Sequence, residues 1–224
     1  MILLATDTSG KQGSIALSRV DKCESGPDRV EILEVVPLEG GTFSAQLIPQ
    51  VSALLSRHGF SKSDLGAFAV ASGPGSFTGL RVGLAAIKAL AEVLRQPIVA
   101  ISLLEALARN SSQRDVIAVL DAGRGEVYIG EYEVADRVVP RGERLISRKE
   151  LFDGTFSAMV TSDLGVAEAA HTAGLPVELV DYPGSVAVAR IGWEKLRSGE
   201  TISPSELEAN YIRRSDAEIF AKQK

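Results

Sequence analysis

The chain has 224 residues, enough for one large domain or for two lobes that each bury a core. Its apolar share of 45% and charged share of 24% are those of an ordinary globular protein, and a net charge of -5 excludes a whole-molecule basic field that would draw in nucleic acid. The single cysteine, Cys23, leaves no internal disulfide, no apolar run reaches the roughly 18–20 residues of a membrane helix, and the start lacks a signal peptide, so a cytoplasmic protein with no membrane partner is expected.

Taken in order, residues 2–6 form a short apolar strand ending in Asp7-Thr8-Ser9-Gly10. Residues 13–20 alternate apolar and small polar side chains and return as its hairpin partner, and residues 30–36 give a third strand after a polar connection at 21–28. Gly40-Gly41-Thr42 opens a helix in which Phe43, Leu47, Ile48, Val51, Leu54 and Leu55 recur at helical spacing. Thr42 or Ser44 is its expected N-cap, Pro49 should bend it or delay its start, and Gly59 closes it. His58 stands at its end, where it can meet the last carbonyls.

A buried strand at 67–71 then leads into Ser72-Gly73-Pro74-Gly75-Ser76-Phe77-Thr78-Gly79-Leu80-Arg81-Val82-Gly83, and a helix over 79–95 leads out. Strand, glycine-rich turn and helix in that order can make an anion site, because the first helical turn has unpaired N–H groups and a positive dipole end. The competing reading is a tight turn whose glycines serve only backbone angles. The loop matches neither a Walker A motif nor a Gly-x-Gly-x-x-Gly fingerprint. On the helix, Leu80, Leu84, Ile87, Ala91 and Leu94 make one apolar stripe, and Gly75, Gly79 and Gly83 make a bare line that lets another backbone come close. Arg81, in the first turn against the dipole, is read as holding the loop or a partner. Residues 97–101 are a fourth strand, followed by a helix from Ser102 through Arg109.

A boundary is placed at the polar 110–113, giving lobes 1–109 and 110–224. The second half restarts the pattern: a strand at 116–120 ends in Asp121-Ala122-Gly123-Arg124-Gly125, and 126–133 returns as its partner. A less regular strand over 137–146, helices at 147–152, 167–173 and 186–197, strands at 159–160 and 177–180, and a short tail strand at 210–214 complete the chain. Asp7, Asp121 and Glu126 are the carboxylates that could do chemistry by holding magnesium water; the favoured alternative for the last two is that they shape a hairpin and pair with Arg124. The two histidines, His58 and His171, make no metal-ligand spacing, and Cys23 has no nearby His to activate it.

Three motifs carry a resemblance. The Ser72–Gly83 loop, Asp121-Ala122-Gly123-Arg124-Gly125-Glu126-Val127-Tyr128 and Ala209-Asn210-Tyr211-Ile212-Arg213 resemble the signatures of the bacterial TsaB (YeaZ) family, which helps make threonylcarbamoyladenosine on tRNA. Phe43 stands where that family usually has His, Gly123 where it has Arg, and Ala209 where it has Pro. The resemblance implies an α/β fold of the actin/hexokinase/Hsp70 (ASKHA) type, with two lobes that each hold a mixed sheet and flanking helices. In that superfamily Asp7 and its hairpin would be the first phosphate loop. It further implies a degenerate nucleotide site at Asp7, Thr8, Ser9, Gly73, Gly75 and Ser76, with no tightly bound cofactor, ATP and Mg entering only with partners, and no catalytic or metal residue. Members act as homodimers and as the non-catalytic partner of TsaD, with the ATPase TsaE joining and tRNA reached indirectly through the complex. The expected partner surface comprises Leu47, Pro49, Gly79, Arg81, Gly83 and Ala86, together with Ala45, Ser52 and Ala53. The alternative is a small phosphotransferase using Asp7 and the Gly73–Gly83 loop. A metalloprotease, suggested by old names for the wider family, fails for want of ligands.

Overall fold

The computed structural model describes residues 1–21, 28–135, 137–154, 156 and 158–213. Cys23, part of the 21–28 connection and Arg214 of the tail motif lie outside these residues. The chain forms two compact units, 1–106 with 183–209, and 107–182 with 210–224.

In the first unit, β1 (Ile2–Asp7) and β2 (Gln12–Asp21) are the expected antiparallel hairpin, β3 (Arg29–Glu39) pairs with β2, and β4 (Leu65–Gly73) and β5 (Ile98–Ser102) add in parallel beside β1. The sheet order is β3-β2-β1-β4-β5. The period-2 alternation of the strands divides its faces. Ile2, Leu4, Ile15, Leu17, Val36, Leu38, Phe68 and Val70 form one core with Leu47, Val51 and Leu54 of α1 (Phe43–Arg57) and Leu80, Leu84 and Ile87 of α2 (Phe77–Leu94). Pro49 sits inside α1 without ending it, and Thr42 makes no side-chain cap, donating its hydroxyl to the Glu39 carbonyl instead. His58 caps α1 with its backbone N–H, while its ring pairs with Glu34 at 2.8 Å rather than with the last carbonyls. Arg57 binds the same carboxylate, and these two hydrogen bonds, Arg57 first, hold Glu34 below the usual carboxylate range.

The opposite face carries small side chains, among them Ala5, Ala16, Ala67, Ala69 and Ala71, all buried. Onto it packs α6 (Gly184–Arg197), which touches all five strands. Gly192 is the contact point: a Cβ there would lie 2.5 Å from the Ala69 Cβ. Lys195 of α6 reaches the buried Glu105 of α3 (Leu103–Ala108) at 2.5 Å, and the Ser185 N–H donates to Ser14 Oγ. This corrects the single boundary at 109/110. The first unit gives up the chain at Ala106, near the expected point, but residues 183–209 return to it because α6 is what covers its small-residue face.

The second unit repeats the topology. Its sheet runs β10-β9-β6-β7-β8, built from β6 (Asp115–Gly123), β7 (Glu126–Val134), β8 (Val138–Ser147), β9 (Met159–Thr161) and β10 (Val177–Leu179). Ile117, Val119, Val127, Ile129 and Met159 make a core with Leu151 of α4 (Arg148–Asp153) and with Val166 and Ala170 of α5 (Leu164–Thr172). Ser147 and Glu150 cap α4 as a reciprocal box, and Asp163 caps α5, which therefore starts three residues before the sequence reading placed it. The expected tail strand is an irregular segment, residues 210–213, fastened by side chains: Asn210 Nδ2 donates to Glu143 at 2.5 Å, and the Tyr132 hydroxyl donates to the same carboxylate. Among the described residues no helix is long and apolar enough to cross a membrane.

Because α6 lies so close to β4, Gly192→Val should destabilise the first unit by about 1–3 kcal/mol through overpacking. Equilibrium denaturation with urea measures it, and an unchanged midpoint would show that α6 can lift off the sheet without cost.

Candidate functional site

The expected phosphate loop is the turn after β1. Asp7 accepts from the Ser9 N–H at 2.9 Å and from the Ser9 hydroxyl at 2.5 Å through one carboxylate oxygen, an Asx turn that fixes the corner. In an open phosphate site these donors would face a ligand. Here Asp7, Thr8 and Ser9 are 1%, 2% and 3% exposed.

Helix α2 and its N-cap pack against Thr8 and Ser9. Its N-cap is Ser76, whose Oγ accepts from the Gly79 N–H at 3.3 Å, so the helix begins inside the signature loop and two residues earlier than expected. The Ser76 N–H donates to the Ser9 carbonyl at 2.7 Å, and the Thr8 hydroxyl donates to the Gly79 carbonyl at 2.8 Å. The bare line of glycines runs along this contact. A Cβ at Gly75 would lie 2.5 Å from the Ser9 carbonyl oxygen, one at Gly79 would overlap the Thr8 carbonyl, and one at Gly83 would overlap Thr8 Oγ1. The second backbone that the glycines admit is thus the chain's own β1–β2 turn. Phe43 completes the seal: its ring is buried and stands 3.2 Å from the Cβ position of Gly79. The departure from histidine at this position supplies a core residue.

As folded, Asp7 Oδ1, the Thr8 and Ser9 hydroxyls and the glycine edge meet protein atoms, while Asp7 Oδ2 takes part in none of these hydrogen bonds. Of the residues assigned to a degenerate nucleotide site, the structure brings Asp7, Thr8, Ser9, Gly75 and Ser76 together in one contact, with Gly73 at the end of β4 leading into it. Among the described residues no three His, Cys, Asp or Glu side chains converge as metal ligands would. His171 lines a shallow groove in the second unit with Ala167, Glu168, Thr172 and Val177.

The residues assigned to a partner surface separate into two groups. Leu47 is 1% exposed and belongs to the core, and Gly79 and Gly83 face Thr8, so these three do not form an outer surface. Helical spacing alone does not say which of two faces meets the sheet. Pro49, Arg81, Ala45, Ser52 and Ala53 are exposed and Ala86 is half-buried. Sequence reasoning missed Ile48, Phe77 and Val93 as surface residues, although they are 46%, 36% and 73% exposed. The Arg81 guanidinium lies 3.7 Å from the centroid of the Phe77 ring, a cation–π stack on the outer side of the first helical turn. In the second unit, Asp121 pairs with Arg148 at 2.9 Å and Glu126 pairs with Arg213, partners that lie outside the hairpin rather than the expected Arg124.

The family model for TsaD, tRNA N6-adenosine threonylcarbamoyltransferase, matches residues 35–218. The chain is 38% identical over 146 residues to the TsaB protein of Bacillus subtilis (strain 168), covering 62% of this chain and 60% of that one. It is 26% identical over 232 residues to TsaB of Escherichia coli (strain K12), covering 97% and 96%. The chain belongs to the TsaB (YeaZ) family. YeaZ from Pseudomonas aeruginosa, at 24% identity, superposes with a TM-score of 0.72 over 93% of this chain and all of that one, and shares the ASKHA-like fold of two mixed sheets with flanking helices.

The glycine line yields a stability test. Gly83→Ala forces a Cβ onto Thr8 Oγ1 and should cost about 1–3 kcal/mol despite alanine's better helix propensity. In a Thr8→Ala background the same change should cost markedly less, because the colliding oxygen is gone. A double-mutant cycle by urea denaturation reads the coupling, and additive effects would place the two side chains out of contact.

Proposed function

We propose that this chain is a non-catalytic scaffold subunit in the biosynthesis of threonylcarbamoyladenosine on tRNA. In this reading it acts with a TsaD-like catalytic subunit and a TsaE-like ATPase in threonylcarbamoyl transfer to N6 of adenosine 37, in tRNAs that read codons beginning with A. The family supports the process, since its curated members carry the name tRNA threonylcarbamoyladenosine biosynthesis protein. The observation that supports the scaffold role is the burial of Asp7, Thr8 and Ser9, with Thr8 and Ser9 packed against α2 and its N-cap. A phosphotransferase of this fold needs a strand-end carboxylate that can reach a phosphate and its magnesium. Here that carboxylate is buried and spends one oxygen on Ser9, and its turn is fastened to α2 through Ser76 with Ser9 and Thr8 with Gly79.

The outer face of α1 and α2 supports an assembly role. Ala45, Ile48, Pro49 and Ser52 on α1, and Phe77, Arg81, Ala85 and Val93 on α2, are exposed and form a small-to-apolar surface broken by one cation. Such a patch is a candidate interface. In this reading it is self-complementary, pairing two copies about a two-fold axis, and a TsaD-like subunit replaces the second copy. Homodimer and heterocomplex would then exclude each other.

Two measurements test this. Purified chain with Mg and ATP should show no turnover, whereas mixing it with its TsaD-like and TsaE-like partners and tRNA should give modification that is lost when the chain is omitted. ATP hydrolysis by the chain alone, abolished by Asp7→Ala, would favour the phosphotransferase. Ile48→Glu should weaken the dimer and the TsaD-like complex together in sedimentation velocity, at unchanged thermal stability. A variant that remains dimeric but fails to bind the partner would assign the two assemblies to separate surfaces.

A further inference from the structure

Strand β10 is the last in the second unit's sheet, and α5 turns back into it through residues 173–176. The Met159 N–H donates to the Pro176 carbonyl at 3.0 Å, and the Val180 N–H donates to the Thr161 carbonyl at 2.9 Å. Alternate residues of a strand turn their backbone groups to opposite sides. Pro176, Glu178 and Val180 therefore face β9, while Val177 and Leu179 each turn an N–H and a C=O outward. Among the described residues no strand pairs with that edge. Open backbone groups in a row are a template for another strand.

Beside this edge runs the shallow groove lined by Ala167, Glu168, His171, Thr172 and Val177. Val177 and Leu179, two apart, share one face of the strand, the face on which α5 packs. Leu179 is 52% exposed, and Leu164 at the start of α5 is 60% exposed. The groove is thus small and apolar along its floor, with polar groups from α5 on its wall.

The charge around it has one sign. Residues 150–182 hold six Asp and Glu and no Lys or Arg, on a chain whose whole net charge is -5. Asp163 is spent on capping α5. Glu178, on the other face of β10, is held below the usual carboxylate range by hydrogen bonds from Ser112, its hydroxyl first. Glu168 and Asp181 are exposed.

We propose that β10 and its groove accept an extended segment of another protein, one that is apolar at alternate positions and flanked by Lys or Arg. Its backbone pairs with Val177 and Leu179, and its apolar side chains enter the groove. Strand addition of this kind takes affinity from main-chain hydrogen bonds and specificity from pockets for alternate side chains. Charge decides the occupant. Two copies of this chain, edge to edge, would set like charges against each other, which is destabilising across a ladder. The same carboxylates repel a nucleic-acid backbone. A basic strand is attracted and steered by them. The open window is short, bounded by Pro176 and Pro183, which have no N–H to offer, so the contact is a transient one. It lies in the second unit and does not rest on the proposed function.

The test selects a display library of random heptapeptides on the full chain. The selected peptides should alternate apolar with other residues and carry Lys or Arg, and their binding should slow hydrogen exchange at the Val177 and Leu179 amides. Leu179→Pro removes one outward N–H without touching the ladder to β9 and should lower peptide affinity by about tenfold. Glu168→Lys, at an exposed helix position, leaves the strand intact and should lower it by about fivefold, with a weaker salt dependence. Near-UV circular dichroism checks that both variants stay folded. Failure to enrich any peptide, enrichment of acidic ones, or binding that neither variant weakens would overturn the proposal. Self-association of the chain that Leu179→Pro abolishes would overturn it in favour of a second copy.

Discussion

The close approach of the β1–β2 turn to α2 is the contact on which the first unit depends. It requires three things at once: a turn locked by Asp7, a helix with no side chains along one edge, and an N-cap at Ser76 whose backbone N–H reaches Ser9. Each hydrogen bond in it contributes on the order of 1 kcal/mol net, and a Cβ at any of the three glycines would separate them all. Within the turn, Asp7 Oδ1 accepts from the Ser9 N–H and hydroxyl and the Thr8 hydroxyl reaches the Gly79 carbonyl, which helps a chain keep a buried Asp, Thr and Ser at the end of a central strand.

The two units share one strand order but differ at the corresponding corner. Asp7 ends β1 buried, while Asp121, near the end of β6, remains exposed and pairs with Arg148. The sequence shows the recurrence only as a second strand-Asp-turn-strand pattern, with little identity between the halves. What recurs is topology: antiparallel pairs on one side of the first strand, parallel additions on the other.

Local patterns made most of this legible. The alternation in residues 13–20, the apolar strand before Gly73 and the helical stripe from Leu80 each announce their element, because period and turn chemistry are local properties. Destinations are not local. The glycine line shows that something comes near but not what, so Gly79 and Gly83 read as a partner surface when the visitor is Thr8. Leu47 failed for a related reason: one helix can carry two presentable faces, and only the sheet decides between them. The route of α6 back to the first unit was equally hidden, since its stripe of Val188, Ile191 and Trp193 says that it is buried without saying where. Gly192 facing Ala69 is the nearest thing to an address, and it becomes readable only once both elements are known.

That route gives the chain an order of completion. The first unit holds all five of its strands by Ser102, yet the helix that covers their small-residue face ends at Arg197. A ribosome adding about 5–20 residues each second leaves that face without its own cover for on the order of ten seconds, while residues 107–182 of the second unit are being made. The alanines that line it bury little area each, with Leu3, Val99 and Ile101 as the larger apolar groups among them. Small side chains there serve the finished fold by admitting α6 closely, and they serve the unfinished one by reducing the apolar area that a nascent sheet exposes.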